Sequence, residues 1–182
     1  MPAIMIAYYT EPGYDDIQML ATSGLIVSHE IGHLFDTRGA IYDEYGILRD
    51  WWSPQMKEQF DQLEGKISEY FAAAELLPGV RQEILSERHD EAIAEYVGMV
   101  LALDVVGDNP DDQRKFLETY ASANWAIGTQ GGILDRWKMD DHLAEILRCN
   151  AIPSCLDSFY DLYDIIEGDP MYVPPEKRPK LW

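Results

Sequence analysis

The sequence predicts a mainly α-helical protein with little or no β-sheet. Apolar residues recur at the three- and four-residue spacing of helices, and few stretches alternate with the two-residue period of strands. Glycine and proline fall mainly between these periodic stretches. The chain has 182 residues, of which 47% are hydrophobic, and this is enough material for a core. We therefore expect residues 1–182 to form a single domain.

Start and stop signals set the expected helix boundaries. The first helix is expected over residues 15–35, where apolar residues occur at helical spacing. The second begins with Ser53 as the N-cap and Pro54 at the first helical position, and it runs to Leu77, just before Pro78-Gly79. The remaining helices are expected over residues 82–106, 109–125 and 156–166.

Charge and hydrophobicity argue against two classes of partner. Acidic residues outnumber basic ones by 33 to 14, which gives a formal net charge of -19 and a field that repels nucleic-acid phosphates. No apolar run approaches the roughly 18 residues of a membrane-spanning helix. Residues 1–6 lack the basic flank of a signal peptide. We expect a cytoplasmic protein that binds neither nucleic acid nor membrane, although the sequence leaves a secreted form open.

The most specific local motif is His29-Glu30-Ile31-Gly32-His33, which lies within the first predicted helix. Residues four apart share one helix face, so both imidazoles can bind the same zinc ion. Three polar groups on an apolar helix are costly to bury unless they share a partner. Glu30 is placed to take a proton from water that the zinc activates. The motif therefore predicts a catalytic zinc site.

A zinc ion held by two histidines needs a third protein ligand and an open position for catalysis. The third predicted helix carries Glu91 and Glu95 four residues apart, a like-charge pair that is unfavourable without a cation or histidine nearby. We assign Glu91 to the metal and Glu95 to a hydrogen bond with a ligand histidine. His89 and Glu69 remain alternative third ligands. Asp36, three residues after His33, is placed to orient that imidazole.

These motifs resemble the neprilysin and endothelin-converting-enzyme family of zinc metallopeptidases, which includes bacterial oligopeptidases. The resemblance begins at Val27-Ser28-His29-Glu30-Ile31-Gly32-His33-Leu34-Phe35-Asp36 and continues through Gly39, Asp43, Gly46, Leu48 and Asp50-Trp51-Trp52 to Glu91 and Glu95. It implies a compact gluzincin-like catalytic lobe without the large N-terminal helical domain of the family. Glu95 stands where the family has aspartate, so the reach of this carboxylate to the histidine differs by one methylene.

The resemblance also implies roles for residues later in the chain. His142 would stabilise the oxyanion of the reaction, Asp140 would position His142, and Arg148 would bind the peptide backbone or carboxylate of the substrate. Four further residues correspond to the pocket for the substrate residue after the scissile bond: Leu25, Ile26, Asn124 and Trp125. Asn124 replaces an apolar residue, which makes the expected pocket more polar.

The sequence supports two functions. The first is a zinc-dependent endopeptidase or oligopeptidase, with one zinc ion per chain and a zinc-bound water activated by Glu30. The alternative is a catalytically weak or inactive zinc-binding lobe that acts as a scaffold with a partner chain. Peptides are the expected substrates of the first. The large helical domain of the family is not found in this sequence, so three alternatives stay open: a partner chain covers the active site, a homo-oligomer covers it, or it has no cover.

Overall fold

A computed structural model describes residues 10–81 and 86–181 of the chain. The fold is mainly α, which confirms the prediction. The first helical stretch, α1, is continuous and consists of Asp16–Met19, the π-helical Leu20–Gly24, Leu25–Gly32 and the 3-10 turn His33–Phe35. The other α-helices are α2 (Pro54–Ala73), α3 (Ser86–Val106), α4 (Pro110–Asn124), α5 (Gln130–Met139), α6 (Glu145–Ala151) and α7 (Asp157–Tyr163). Short 3-10 turns occupy Gly39–Ile41, Pro153–Cys155 and Pro175–Lys177.

Helix α1 matches the predicted range of 15–35 closely. Its start is fixed by a capping box, in which the Asp15 carboxylate accepts the Gln18 backbone N–H and the Gln18 side chain accepts the Asp15 N–H. The π-helical stretch inserts one wide turn just before the histidine motif. A single unbroken helical stretch therefore leads into both histidines.

Helix α2 ends earlier than predicted. Ser53 caps its start by accepting the Met56 N–H, as expected, but the helix stops at Ala73 rather than at Leu77. Residues Glu75–Leu77 instead form strand β1, which pairs antiparallel with β2, Val80–Arg81. The physical reason is the turn between the strands. Proline disfavours helical backbone in the residue before it, and Gly79 adopts a φ of +77°, so Pro78-Gly79 makes a tight hairpin turn.

The remaining helices differ from the prediction at their ends and in number. The predicted start of the third helix at Gln82 lies outside the described residues. Helix α7 ends at Tyr163 because Asp164 takes a left-handed conformation with a φ of 52°, which stops the helix before residue 166. Helices α5 and α6 were not predicted. Both are short, and none of the residues of α5, all of which the structure describes, is buried.

Helix α3 is the centre of the fold. Every residue from Ala92 to Met99 is buried, and α1, α2 and α4 pack around it. The buried side of α2 follows helical spacing, with Phe60, Leu63, Ile67 and Phe71. Among the described residues, no helix combines the length and hydrophobicity needed to cross a membrane.

Helices α1 and α3 approach so closely that two glycines are needed where they cross. A Cβ atom on Gly32 would lie 2.5 Å from the carbonyl oxygen of Ala94, and one on Gly98 would lie 2.7 Å from the backbone nitrogen of His29. Both obstacles are backbone atoms, which cannot move aside without shifting a helix. The two glycines therefore set the distance between the helix with the histidines and the helix with Glu91.

Gly98→Ala is expected to destabilise the protein by about 1–3 kcal/mol, because the added methyl group forces α1 and α3 apart. Gly65→Ala is the matched control. Gly65 lies inside α2 with open space around its Cα, so alanine there is expected to stabilise the helix by up to about 1 kcal/mol. Denaturant unfolding of both variants measures the difference. Equal stability of the Gly98→Ala variant and the parent would contradict the close crossing.

Candidate metal centre

The two helices that cross at the glycines supply four side chains to one cluster. His29 and His33 lie four residues apart on α1, and Glu91 and Glu95 lie four residues apart on α3. His29 and Glu95 are buried, whereas His33 and Glu91 are partly exposed. The like-charge pair on α3 thus faces the imidazole pair on α1 rather than solvent. This contact relieves the repulsion that the two carboxylates would otherwise have.

Three imidazoles converge on one oxygen of Glu91. The Oε2 atom of Glu91 lies 3.1 Å from Nε2 of His29, 3.6 Å from Nε2 of His33 and 3.5 Å from Nε2 of His142. Donor atoms of His29, Glu91 and His142 all lie within 4.8 Å of one another. His142 comes from the turn after α5, so the cluster joins three separate parts of the chain.

Each imidazole has a carboxylate at its other nitrogen. The Nδ1 contacts are His29 with Glu95 at 3.2 Å, His33 with Asp36 at 2.7 Å, and His142 with Asp140 at 2.7 Å. Asp36 is fixed in turn because it accepts the backbone N–H groups of Arg38 and Gly39. For His33 and His142 the contact is a hydrogen bond, which favours the tautomer that keeps its proton at Nδ1 and leaves the lone pair of Nε2 facing Glu91. Nδ1 of His29 is near Glu95 but makes no hydrogen bond of acceptable geometry with any residue that the structure describes.

This arrangement fits a zinc ion. Lone pairs of several nitrogens that face a carboxylate oxygen repel one another unless a cation or protons lie between them. Within the described chain, Nε2 of His29 and Oε2 of Glu91 are buried and make no hydrogen bond of acceptable geometry. Ligands at 2.0–2.1 Å from a tetrahedral zinc ion lie about 3.3 Å apart. The observed separations of 3.1, 3.5 and 3.6 Å bracket that value.

The cluster is also strongly coupled electrostatically. Hydrogen bonding to Asp36, followed by contact with Glu91, raises the pKa of His33 to about 10. Burial acts to raise the pKa of Glu91, but its contacts with His29 and His33 outweigh burial and hold that pKa below its usual range. The carboxylates therefore favour protonated imidazoles when no metal is bound. A metal ion would have to displace these protons, so its binding would depend on pH.

Glu95 joins the metal centre to the wall of a cleft. Its Oε2 contacts His29 and accepts a hydrogen bond of 2.9 Å from Arg148, while its Oε1 accepts one of 2.8 Å from the Tyr120 hydroxyl. Burial acts to raise the pKa of Glu95, but His29 and the charge of Arg148 outweigh it and keep the pKa low. Arg148, expected to bind substrate, is thus held by Glu95 and reaches the cleft from that position.

A cleft of about 420 Å³ lies beside the cluster. Most of the residues predicted to contact substrate or to act on it line this cleft, namely Leu25, Ile26, Glu30, Asn124, Asp140, His142 and Arg148. Trp125 does not. It is 60% exposed and lines a separate pocket with Ile146 and Cys149, because the backbone turns to an extended conformation at Trp125 after α4 ends.

The alternative third ligands lie away from the cluster. His89 faces α2, where its Nε2 lies 3.3 Å from the Glu64 carbonyl oxygen. Glu69 lies on the exposed side of α2. A larger cavity of about 480 Å³ between α2 and the loop after α1 has no histidine in its lining. Of these two cavities, the smaller cleft is therefore the one that is lined by histidines of the cluster and by Glu30.

No sequence pattern indicates that Tyr120 is part of the site. Its position on α4 after Phe116 and Leu117 is typical of a core residue, and the side chain is indeed fully buried. Only the fold shows that its hydroxyl group reaches Glu95. The approach of His142 to the oxygen of Glu91 was likewise not evident, because the connecting segment contains no metal-binding motif.

Comparisons with known proteins agree with the resemblance noted in the sequence. A "Neutral endopeptidase" of Lactococcus lactis subsp. cremoris is 33% identical over 161 residues, which cover 87% of this chain and 25% of that protein. "Neprilysin-11" of Caenorhabditis elegans is 25% identical over 87% of this chain and 20% of that protein. The crystal structure of PEPO from Lactobacillus rhamnosis HN001 matches 100% of this chain and 29% of its own, with a TM-score of 0.85 and 31% identity.

The chain thus spans 25% of the length of the Lactococcus relative and 29% of the solved PEPO chain. The family model for peptidase family M13 matches residues 1–179, which is nearly the whole chain. The chain belongs to peptidase family M13.

Proposed function

We propose that this chain is the catalytic part of a zinc-dependent endopeptidase or oligopeptidase. The observation that carries the proposal is the convergence of three imidazole Nε2 atoms on one Glu91 oxygen, next to a cleft that also contains Glu30. The relative named a neutral endopeptidase supports the same class of reaction. Peptides are the proposed substrates.

His29, His33 and Glu91 are the proposed ligands of one zinc ion. His33 is favoured over His142 as the second histidine because Asp36, which orients it, is buried and held by backbone N–H groups. His142 and Asp140 are more exposed. Zinc, when bound, supplies a Lewis acid that polarises a carbonyl group and lowers the pKa of water towards about 7.

Glu30 is the proposed general base. It directly follows His29 on α1, it is exposed, and it lines the cleft rather than the core. A carboxylate in this position can accept a proton from a water molecule that attacks the peptide carbonyl, and it can later return that proton to the leaving amine. The other carboxylates near the cluster are already engaged by histidine or arginine, which leaves Glu30 for this task.

His142 is the proposed stabiliser of negative charge on the substrate oxygen. Its Nδ1 is bound to Asp140, and its Nε2 points towards the same region as the proposed ligands. When protonated, Nε2 can donate a hydrogen bond to the oxyanion. Asp140 orients the imidazole through the contact at Nδ1. Arg148 presents its guanidinium group at the cleft, where it can bind a substrate carbonyl or carboxylate.

Leu25, Ile26 and Asn124 are the proposed contacts of the substrate side chain. The first two are apolar and come from α1, one turn before His29, and Asn124 comes from the end of α4. The amide of Asn124 is anchored because it donates to the carbonyl of Tyr120 at 3.0 Å. This wall combines apolar surface with a fixed polar group, so side chains with both characters are the proposed preference.

A second candidate function is a scaffold that binds a partner chain. The observation in its favour is a stripe of exposed apolar residues on α1, formed by Val27, Ile31 and Leu34. Exposed apolar residues in one stripe are typical of a surface that contacts another polypeptide. Under this alternative the metal centre stabilises the lobe without turning over peptides.

Glu30→Gln is expected to keep zinc at one ion per chain but to lower kcat/KM for a quenched peptide by about 10²–10⁴-fold, because the amide cannot accept the proton. Zinc analysis and peptide hydrolysis measure the two effects separately. The matched control is Glu58→Gln, an exposed position on α2 that is expected to change neither. If the Glu30→Gln variant cleaves as fast as the parent, the assigned base is wrong. If the parent binds zinc without cleaving any peptide of a library, the scaffold function is favoured.

Glu91→Gln is expected to weaken zinc binding by more than about 100-fold, beyond the effect typical of residues that only orient a ligand. Chelator competition with the purified chain measures the affinity. Glu69→Gln and His142→Ala are the controls, and both are expected to retain zinc. A larger loss of affinity in either control than in Glu91→Gln would identify a different ligand set.

A further inference from the structure

The segment that precedes His142 has little buried surface. Helix α5, whose residues are all described, contributes no buried residue, and the residues from Trp125 to Gly132 are exposed as well. The His142 side chain is 47% exposed. Its Nε2 nevertheless lies 3.5 Å from the buried Oε2 of Glu91. On the C-terminal side of His142, Leu143 and Ala144 are buried, so an anchor on the preceding segment would hold His142 from both sides.

Arg88 is a buried charged residue that makes this contact. It is only 4% exposed, and it lies on α3 three residues before Glu91. Its Nη2 donates hydrogen bonds to the carbonyl oxygens of Trp137 at 2.6 Å and Asp140 at 3.2 Å. Its guanidinium carbon also lies 4.5 Å from the centre of the Trp137 ring. Arg88 therefore grips both the backbone and a side chain of the segment before His142.

The chemistry of these contacts suits a guanidinium group. The carbonyl groups in the last turn of a helix have no partner within the helix, and they carry partial negative charge from the helix dipole. Arg88 binds such a group at Trp137 and also the carbonyl group of Asp140, the C-cap residue of α5. Its flat cation can at the same time lie on the tryptophan ring. A lysine has no planar fork and cannot make the same set of contacts.

Asp140 connects Arg88 to His142. The Asp140 carboxylate accepts the backbone N–H of His142 at 3.0 Å and the ring Nδ1–H of His142 at 2.7 Å. A continuous path thus runs from Arg88 to the Asp140 carbonyl, through the Asp140 side chain, and to the imidazole. Because Arg88 and Glu91 are on adjacent turns of one rigid helix, the path fixes His142 relative to Glu91.

We propose that Arg88 is a positioning residue that holds His142 over the cleft by clamping the C-terminal end of α5 to α3. This inference rests on the proposed function, because it is catalytically relevant only if His142 takes part in the reaction. Arg88 itself does not touch the cleft. It is therefore expected to act on turnover through His142 and not on zinc binding.

A double-mutant cycle tests the proposal in the zinc-loaded chain. Arg88→Met is expected to lower kcat for a quenched peptide by about 10- to 100-fold, since small misplacements of a catalytic group have effects of this size. Zinc affinity is expected to stay within about twofold. In the His142→Ala background the same change is expected to cause no further loss, because the residue that Arg88 positions is gone. Independent, multiplicative losses would overturn the proposal.

Two further variants separate positioning from a general loss of stability. Arg178→Met removes another buried arginine that stacks on an aromatic ring and binds a backbone carbonyl, that of Val173 near the C-terminal end of the described chain. It is expected to lower the melting temperature without changing kcat. Arg88→Lys keeps the charge and one donor, so kcat is expected to recover in part relative to Arg88→Met. If Arg178→Met lowers kcat as much as Arg88→Met, a positioning role is excluded.

Hydrogen exchange of the metal-free protein gives a readout that does not depend on activity. The Arg88→Met variant is expected to show faster amide exchange in residues 137–142, and the Arg178→Met variant is expected to leave these amides unchanged. Unchanged exchange in Arg88→Met would overturn the clamp. If His142→Ala leaves kcat of the otherwise unmodified chain intact, the role proposed for His142 fails, and the exchange measurement still decides whether Arg88 holds the segment.

Discussion

The close crossing of α1 and α3 is the constraint on which the rest of the structure depends. Gly32 and Gly98 allow backbone atoms of one helix to contact backbone atoms of the other, and no side chain separates them. This contact brings the imidazoles of α1 within reach of the carboxylates of α3. Helices α2 and α4 pack on α3 as well, which is why α3 is buried along most of its length. Packing and the candidate metal centre thus share one structural requirement.

The charge pattern of the centre follows from the same crossing. Three imidazoles surround one carboxylate oxygen, and each is supported from behind by a separate carboxylate. Such an arrangement is unfavourable when the imidazoles are neutral, because their lone pairs face a carboxylate oxygen. It becomes favourable when a cation or protons lie between them. A few of the 33 acidic residues therefore contact the histidines of this centre, although most of them lie elsewhere.

The sequence predicted the parts of the site that depend on one helix. The spacing of His29 and His33 and the spacing of Glu91 and Glu95 are local properties, and helical periodicity is sufficient to place each pair on one face. The hairpin after α2 and the existence of α5 and α6 were not predicted, because short elements with few buried residues leave little periodicity. The contacts of Tyr120, Arg88 and Arg148 depend on chain segments that are distant in sequence, so no local pattern could indicate them.

The shared use of Glu95 has a consequence for redesign of the cleft. One carboxylate binds a histidine of the centre, the guanidinium group of Arg148 and the hydroxyl group of Tyr120. A change of Arg148 or Tyr120 therefore also disturbs the carboxylate that contacts His29. Asn124 is tied to the same network, because its amide donates to the carbonyl of Tyr120. Ile26 also lines the cleft and is apolar, so its side chain makes no hydrogen bond to this network. An engineer who wishes to reshape the cleft without disturbing Glu95 should therefore begin with Ile26.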